Sequence, residues 1–479
     1  MTYSDIKELR LKYKISQIKL AKAANMTPAL ISNYERSIQV PSAATLIELH
    51  NALTSIITDL SKGIDIRKKR IQHYDNLKKA NVPMIRNADE YNKLLANRGA
   101  LPNNEYRERL SNLYLEAQAP KSPTAPKALA FFSGCGGLSL GFAAAGFNLI
   151  GHVEIEPSAN KIYEENFKTS KLLGTDICEI TDEQAKQWKD ASHGIDIIIG
   201  GPPCQGFSLA GKRDPSDVRN QLYKYYVHLV SILQPKVFVM ENVRLLTSMK
   251  MKDGSLFINQ IINDFATAGY GLSKQIVNAA NYGVPQDRER IILVGIKKGL
   301  GEKFKFPTPE YTKLPTNIPG LVHPKKPCLT FRDATKDLAP LESGEISKDP
   351  LHWAIIHPQH VINWLKDIPE GHSAHENPNP NLRPPSGYNT TYKRIKWDEP
   401  ASTISTNFNM ISGSRNVHPT ATRSLTIREA TRAQSFPDEF IFTGKWGDIR
   451  KAIGNAVPPI LAEKIALAIF NQYFRREDD

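Results

Sequence analysis

The nonapeptide GGPPCQGFS, Gly200 to Ser208, sets one thiol, Cys204, behind two prolines at the end of the apolar run GIDIIIGG. Each proline fixes its own φ and restricts the residue before it, so the loop holds the sulfur in place at low entropic cost. A core cysteine normally sits within an apolar run. Here Pro-Pro precedes and Gln-Gly follows, which favours a presented thiol over inert filler. A helix start or basic side chain nearby would favour the thiolate. The next apolar run, KVFVMENV, carries Glu241 towards its end. A nucleophilic thiol beside a carboxyl group that can hold a proton suits addition to a conjugated ring, with protonation of a ring heteroatom.

Other polar groups follow the same placement at the ends of apolar runs. FFSGCGGLSLGF carries Gly134, Gly136 and Gly137, which allow a tight turn and close approach of a ligand to the backbone. The helix expected after it offers free N–H groups. Glu154 and Glu156 follow in HVEIEP, about twenty residues on, the distance at which an acid commonly meets ribose hydroxyls. TDICEI then places Asp176 to accept from an adenine amino group. Taken singly each is more often a solvated carboxylate; in this order they outline a nucleoside pocket. No lysine follows the glycines as a triphosphate-binding loop requires.

These positions need elements to hold them. From Leu129 onward, apolar runs alternate with amphipathic stretches: ALAFF, NLIGHV, GIDIII, KVFVMENV, KQIVNAA and ERIILVGI are the expected strands. Near-continuous apolar strands in βαβα order predict a doubly wound α/β domain with a parallel sheet, and such sheets bind ligands at the carboxyl ends of strands. Before it, residues 1–60 read as short helices. IKELRLKYK carries a stripe of Ile6, Leu9, Leu11 and Tyr13, and a second helix places Ile18, Leu20, Ala21 and Ala24 on one side. Ser16 and Thr27 are expected N-caps, and Pro28 takes a first helical position. Residues 61–127 predict a basic helical linker ending in a Pro- and Lys-rich hinge, APKSPTAPKA.

Composition narrows the partners. The net charge is +13, and residues 61–127 hold 14 Lys/Arg against 7 Asp/Glu, a surplus of 7 that makes up about half of it. A polyanion such as nucleic acid is the expected partner. Four cysteines (Cys135, Cys178, Cys204, Cys328) form no CxxC pair, so no metal site is expected. No run approaches the roughly 18 apolar residues that span a bilayer, and MTYSDIKELR lacks a signal-peptide pattern. The expected setting is cytoplasmic, without a membrane partner.

From about residue 127 to 475 the chain resembles the DNA (cytosine-5)-methyltransferases of restriction–modification type. FFSGCGG, EIEP, TDI, GGPPCQGFS, MENV, QDRER, RSLTIREATRAQSFPDEF and IGNAVPP stand in that family's order. Residues 3–60 resemble the Xre/Cro-like helix-turn-helix repressors through AxxxxMTPxxISxYERxxxxPS. The resemblance implies a Rossmann-like methyltransferase sheet over 128–296, a target-recognition region over 297–415 and a C-terminal return over 416–479. It implies Cys204 as nucleophile, Glu241 as holder of a proton, Arg290 at the base and Arg288 in support. S-adenosyl-L-methionine would meet Phe132, Gly134, Gly136, Glu154, Asp176, Ile177, Pro202, Asn455 and Val457. Candidate base readers are Arg383, Tyr388, Thr390, Thr391, Lys393 and Arg394. In the N-terminal domain, Thr27, Ala29, Ser32, Asn33 and Arg36 would face double-stranded DNA, with dimerisation on an operator and repression of the restriction–modification genes as expectations. Two departures stand out: Ile155 after Glu154, where relatives often carry a larger group or an acid, and Asp287 within QDRER. Two other readings compete with this one. A regulator with a methyltransferase half serving only as scaffold is disfavoured by the intact Cys204, Glu241 and Arg290. An RNA methyltransferase is disfavoured by the chain's length and its repressor-like start.

Overall fold

A computed structural model describes residues 2–24, 26–58, 82, 85–203, 222–251, 253–313 and 325–475. The chain forms two compact units, Met1–Pro83 and Met84–Asp479.

The first unit consists of helices α1 (Tyr3–Lys12), α2 (Gln17–Ala23), α3 (Pro28–Glu35) and α4 (43–58). Their starts follow from capping. Thr2 and Asp5 form a capping box, Ser16 Oγ accepts from the Lys19 amide at 3.1 Å, and Thr27 Oγ1 accepts from Leu30 N at 3.3 Å. Ile6, Ile15, Leu20, Ala21, Ile31, Leu49 and Leu53 fill the core. The expected stripes need correcting. Leu11 is 55% and Ile18 68% exposed, and Tyr13 also faces solvent. On α1 the buried place is taken by Arg10, whose guanidinium pairs with Glu35 at 2.7 Å and donates to Ile15 O. An ion pair inside a small bundle is invisible to a count of apolar spacing.

The second unit is built on a seven-stranded sheet. Its strands are β1 (Lys127–Phe131), β2 (Asn148–Val153), β3 (Lys171–Gly174), β4 (Ile197–Gly200), β5 (Val237–Val243), β6 (Tyr270–Asn278) and β7 (Glu289–Lys297). The order is β3-β2-β1-β4-β5-β7-β6. β1 to β5 run parallel, as expected for buried runs such as Ile197–Gly200. β7 departs from the all-parallel expectation, pairing antiparallel with both β5 and β6. Only residues 279–288 separate β6 from β7, too few for a parallel crossover, which takes a dozen or more.

Helices α7 (Gly137–Ala144), α8 (Pro157–Asn166), α9 (Asp182–Ala191), α10 (Leu222–Leu233) and α11 (Phe257–Thr267) connect the strands. The C-terminal helix α16 (Pro459–Tyr473), preceded by α15 (Trp446–Asn455), packs on α7. Contact is so close that a Cβ on Gly141 would stand 2.4 Å from Glu463 N. The stretch Trp446–Tyr473 has the length and hydropathy of a bilayer-crossing helix, but two-thirds of its most apolar window is buried in the protein core.

The expected linker over 61–127 is also corrected. Helices α5 (Ala88–Ala96) and α6 (Glu105–Gln118) belong to the second unit, with Tyr91, Tyr106, Leu110 and Leu113 buried in it. The Pro-rich segment after them leads straight into β1 of the same unit. Its turn, closed by Ala125 N donating to Ser122 O, is a connection inside the unit, not a hinge between units. Residues 59–81, 83 and 84, which include the most basic part of that stretch, lie outside the described residues.

Three short helices lie beyond β7: α12 (Phe331–Thr335), α13 (Gln359–Leu365) and α14 (Ile427–Ala433). A small separate core of Val361, Leu365, Ile368, Ala374, Ile411 and Val417 supports the segment expected to read DNA.

Candidate active site

The carboxyl ends of β2, β1, β4 and β5 lie side by side along one edge of the sheet. Just after β2, Glu154 is almost wholly buried. Its Oε2 accepts from Gly134 N at 2.8 Å and its Oε1 from Glu156 N at 2.9 Å. Asn160 Nδ2 donates to its carbonyl at 2.7 Å. Burial raises the Glu154 pKa, and the amides of Glu156 and Gly134 act against that. The carboxylate therefore joins the first loop to the second strand.

The first loop turns sharply. Gly136 is left-handed at φ 96°, and so is Phe132, a non-glycine residue, at φ 51°. Such a conformation costs on the order of 1–3 kcal/mol and persists only where the surroundings impose it. Space opens at Gly134, where a side chain would meet nothing within 4 Å. Asp176 caps a short 3₁₀ turn, accepting from Cys178 N at 2.9 Å, and Ile177 beside it is buried. On the C-terminal side, Ala452 O accepts from Cys135 Sγ at 3.5 Å, which brings the turn holding exposed Asn455 and buried Val457 to the first loop. Open space beside a buried carboxylate, backbone amides and a half-buried aromatic ring fits an adenosine-bearing cofactor.

Around β4 and β5, Pro202, Glu241 and, from β7, Arg290 come close together. Pro202 is buried, and its carbonyl accepts from Asn242 Nδ2 at 2.8 Å. A Cβ on Gly201 would stand 2.9 Å from Glu241 Oε2, so the loop backbone runs directly over the carboxylate. Cys204 itself lies outside the described residues. Glu241 Oε1 meets Arg290 Nε at 2.8 Å, with both side chains little exposed. The antiparallel β7 makes this possible. Arg290 pairs with Val243 across the ladder, and Glu241 is the diagonal neighbour on the same face. Burial raises the Glu241 pKa from its ordinary value, against the pull of Arg290 and Arg288. A buried acid that keeps its proton more readily than a free one is suited to proton transfer at a ring nitrogen.

Arg288 does different work. It is fully buried, and its guanidinium donates to Ile404 O at 3.1 Å, Gly454 O at 2.8 Å and Ala456 O at 2.9 Å. It ties β7 to the turn of the cofactor side and is a wall of the site, not a group presented to a base. Gln286 and Gln434 extend the tie. Gln286 Nε2 donates to Gln434 Oε1 at 2.5 Å, and Gln434 Nε2 donates to Ile453 O at 2.8 Å. Sequence reasoning passed over these glutamines and Asn242, although Gln286 opens QDRER and Asn242 stands inside MENV. Asp287, the odd residue of QDRER, pairs with Lys313 at the rim of a cavity of about 520 Å³ that Arg290 and Thr403 also line.

Residues 127–471 match the profile of the C-5 cytosine-specific DNA methylases. The chain belongs to that family. It is 37% identical over 343 residues to the type II methyltransferase M1.HphI of Haemophilus parahaemolyticus, covering 71% of this chain and 85% of that one. It is 32% identical over 374 residues to M.DdeI of Desulfomicrobium norvegicum, covering 70% and 86%. Among solved structures it resembles a protein described as a DNA modification methyltransferase encoded within an E. coli prophage. That likeness has a TM-score of 0.54 at 28% identity, over 72% of this chain and 99% of the other. The methylase also carries, over residues 6–55, a match to the helix-turn-helix profile.

The DNA-facing expectations divide. On α3 of the methylase, Ala29 and Arg36 are exposed and Ser32 and Asn33 half-buried, while the Thr27 hydroxyl is engaged as the cap. In the 297–415 region, Tyr388 is 80% exposed, and Thr390 and Lys393 reach solvent to differing degrees. Arg394 is not a base reader. It is buried and donates to His418 O, Ala421 O and Leu365 O. Arg383 Nε is held by Asn377 O at 2.7 Å, and Thr391 Oγ1 donates to Tyr388 O at 2.9 Å.

Proposed function

We propose that this DNA (cytosine-5)-methyltransferase acts on a cytosine swung out of the duplex, since carbon 6 and carbon 5 are unreachable within the stack. Cys204 thiolate adds to carbon 6, and Glu241 supplies a proton to ring nitrogen 3, so the ring becomes an enamine that is nucleophilic at carbon 5. S-adenosyl-L-methionine, when bound, supplies the electrophilic methyl group. Loss of the carbon 5 proton to a base then expels the thiolate, and the nitrogen 3 proton returns to the Glu241 carboxylate, leaving neutral 5-methylcytosine. Arg290 orients Glu241 and meets the base carbonyl. Glu154 holds the ribose, Asp176 and Ile177 the adenine, and Phe132, Gly134, Gly136, Pro202, Asn455 and Val457 line the cofactor's place.

The observation that carries this reading is the Glu241–Arg290 pair at 2.8 Å, under the loop backbone of Gly201. The relatives' type II designation supports a modification role that shields DNA from a partner nuclease, in the cytoplasm where that DNA lies. The helix-turn-helix unit supports binding to an operator, as a dimer, with repression of the restriction–modification genes. Bisulfite sequencing of DNA from cells expressing the chain tests the activity. Protected cytosines in one sequence context are expected, and none in cells carrying Cys204→Ser. Uniform conversion in both would refute it.

A further inference from the structure

Helices α5 and α6 precede the span matched by the methylase profile, yet they are built into the large unit. Polar side chains of α6 and of the connection from α5 to it converge on two aspartates of the segment that follows β7. Asp337 is fully buried and accepts from Asn104 Nδ2 at 2.7 Å and Arg107 at 2.6 Å. Asp349, also buried, pairs with Arg98 at 2.9 Å. From the other side α14 holds the same two groups, Arg432 pairing with Asp337 at 2.6 Å and Arg428 with Asp349 at 3.0 Å. Arg98 reaches Asp438 as well, at 2.5 Å, so one guanidinium spans carboxylates on both sides of the junction. Behind these contacts α6 packs on α7, and Gln118 donates to Asn166 O at the end of α8. Helix α6 therefore reaches from α7, in the helical layer of the catalytic sheet, to the 331–349 segment.

We propose that Arg98 and Arg107 are positioning residues for DNA. Through Asp349 and Asp337 they fix the angle at which the 297–415 region faces the strand ends that carry Glu241. The proposal rests on the reading of that region as the part that recognises the target. Buried, hydrogen-bonded ion pairs are directional, and a recognition surface displaced by an ångström loses much of its grip on an oriented substrate. Neither aspartate lies on the loops that would hold the cofactor, so the effect falls on DNA and spares cofactor binding.

Steady-state methyl transfer by full-length Arg98→Gln and Arg107→Gln separates these effects. One series varies unmethylated DNA at saturating S-adenosylmethionine, and the other varies the cofactor at saturating DNA. The KM for DNA is expected to rise at least tenfold while the KM for the cofactor stays within twofold, and Arg98→Lys is expected to recover most of the loss. A fall in kcat with both KM values unchanged would show mere support of the fold and overturn the proposal, as would no change at all. Should the arginine variants fail to fold, Asn104→Ala is expected to show the same split at about threefold, and equal KM values there overturn it too. A wild-type chain that transfers no methyl group to any DNA contradicts the proposed function instead. The positioning role is then decided by the full chain's Kd for the same DNA, with the tenfold weakening still expected.

Discussion

At the scale of residues, the site works by contrast between neighbouring charges. Glu241 and Arg290 form a close pair, yet burial still keeps the Glu241 pKa raised. A carboxyl group with a raised pKa stays protonated to higher pH, so turnover that needs the acid form falls as pH rises through that value. Glu241→Gln keeps shape and a hydrogen-bond donor but cannot transfer a proton. It is expected to lower kcat by about 10² to 10⁴ and to remove this limb from the pH–rate profile; a profile that keeps the limb would assign it to another group. The places of Glu241 and Arg290 were legible in the sequence because the one ends an apolar run and the other stands in a family motif, while Cys204 lies outside the described residues. The real work of Arg288 was not legible, because carbonyls at 404, 454 and 456 meet it only in the folded chain.

At the scale of elements, alternating apolar runs were enough to place β1, β2, β4 and β5 and the helices between them. Strand direction was not encoded in that alternation. The reversal of β7 follows from a short connection, and it is what aims Arg290 at Glu241. Polar clusters between elements were hidden for the same reason. His418 accepts from Thr420 N and Ala421 N, stands 3.7 Å from Glu429, and is held neutral with a pKa of about 3, chiefly by burial. Its folded pKa lies below the unfolded value near 6.5. Stability from this group is therefore complete above pH 6.5 and is lost as pH falls towards 3, at up to about 1.4 kcal/mol per pH unit. Glu429, whose pKa is lowered by Arg423, adds a loss in the same direction below the usual carboxylate range. All five tryptophans lie in the second unit, so urea unfolding followed by tryptophan fluorescence reports on this unit. Its midpoint is expected to fall between pH 7 and pH 5, and His418→Asn is expected to flatten that dependence. An unchanged slope in the variant would show that other groups carry it. Where α16 meets α7, Gly141→Val is expected to lower the unfolding free energy obtained from the same urea titration by about 1–3 kcal/mol, as for overpacked cores, and an unchanged midpoint would contradict that close contact.

At the scale of the whole molecule, the two units were legible as a repressor-like start and a catalytic remainder, but their boundary was not. Tyr91, Tyr106 and Leu110 lie in a stretch whose charge suggested a linker, and their burial depends on partners more than 200 residues away, such as Asp438 O for Tyr91. Removing residues 2–58 is expected to leave methylation within about twofold and to abolish operator binding in a footprint. Loss of methylation would mean that the units depend on each other. DNA affinity of the full chain is expected to fall steeply with salt, because basic contacts release counterions, and a flat response would contradict a basic interface. Covalent attack by one thiol on an extruded cytosine can be caught by trapping on a duplex with 5-fluorocytosine at the target. With S-adenosylmethionine present, a stable protein–DNA adduct is predicted at Cys204 and none with Cys204→Ser. The absence of an adduct in the wild type, or its persistence in the variant, would contradict the account.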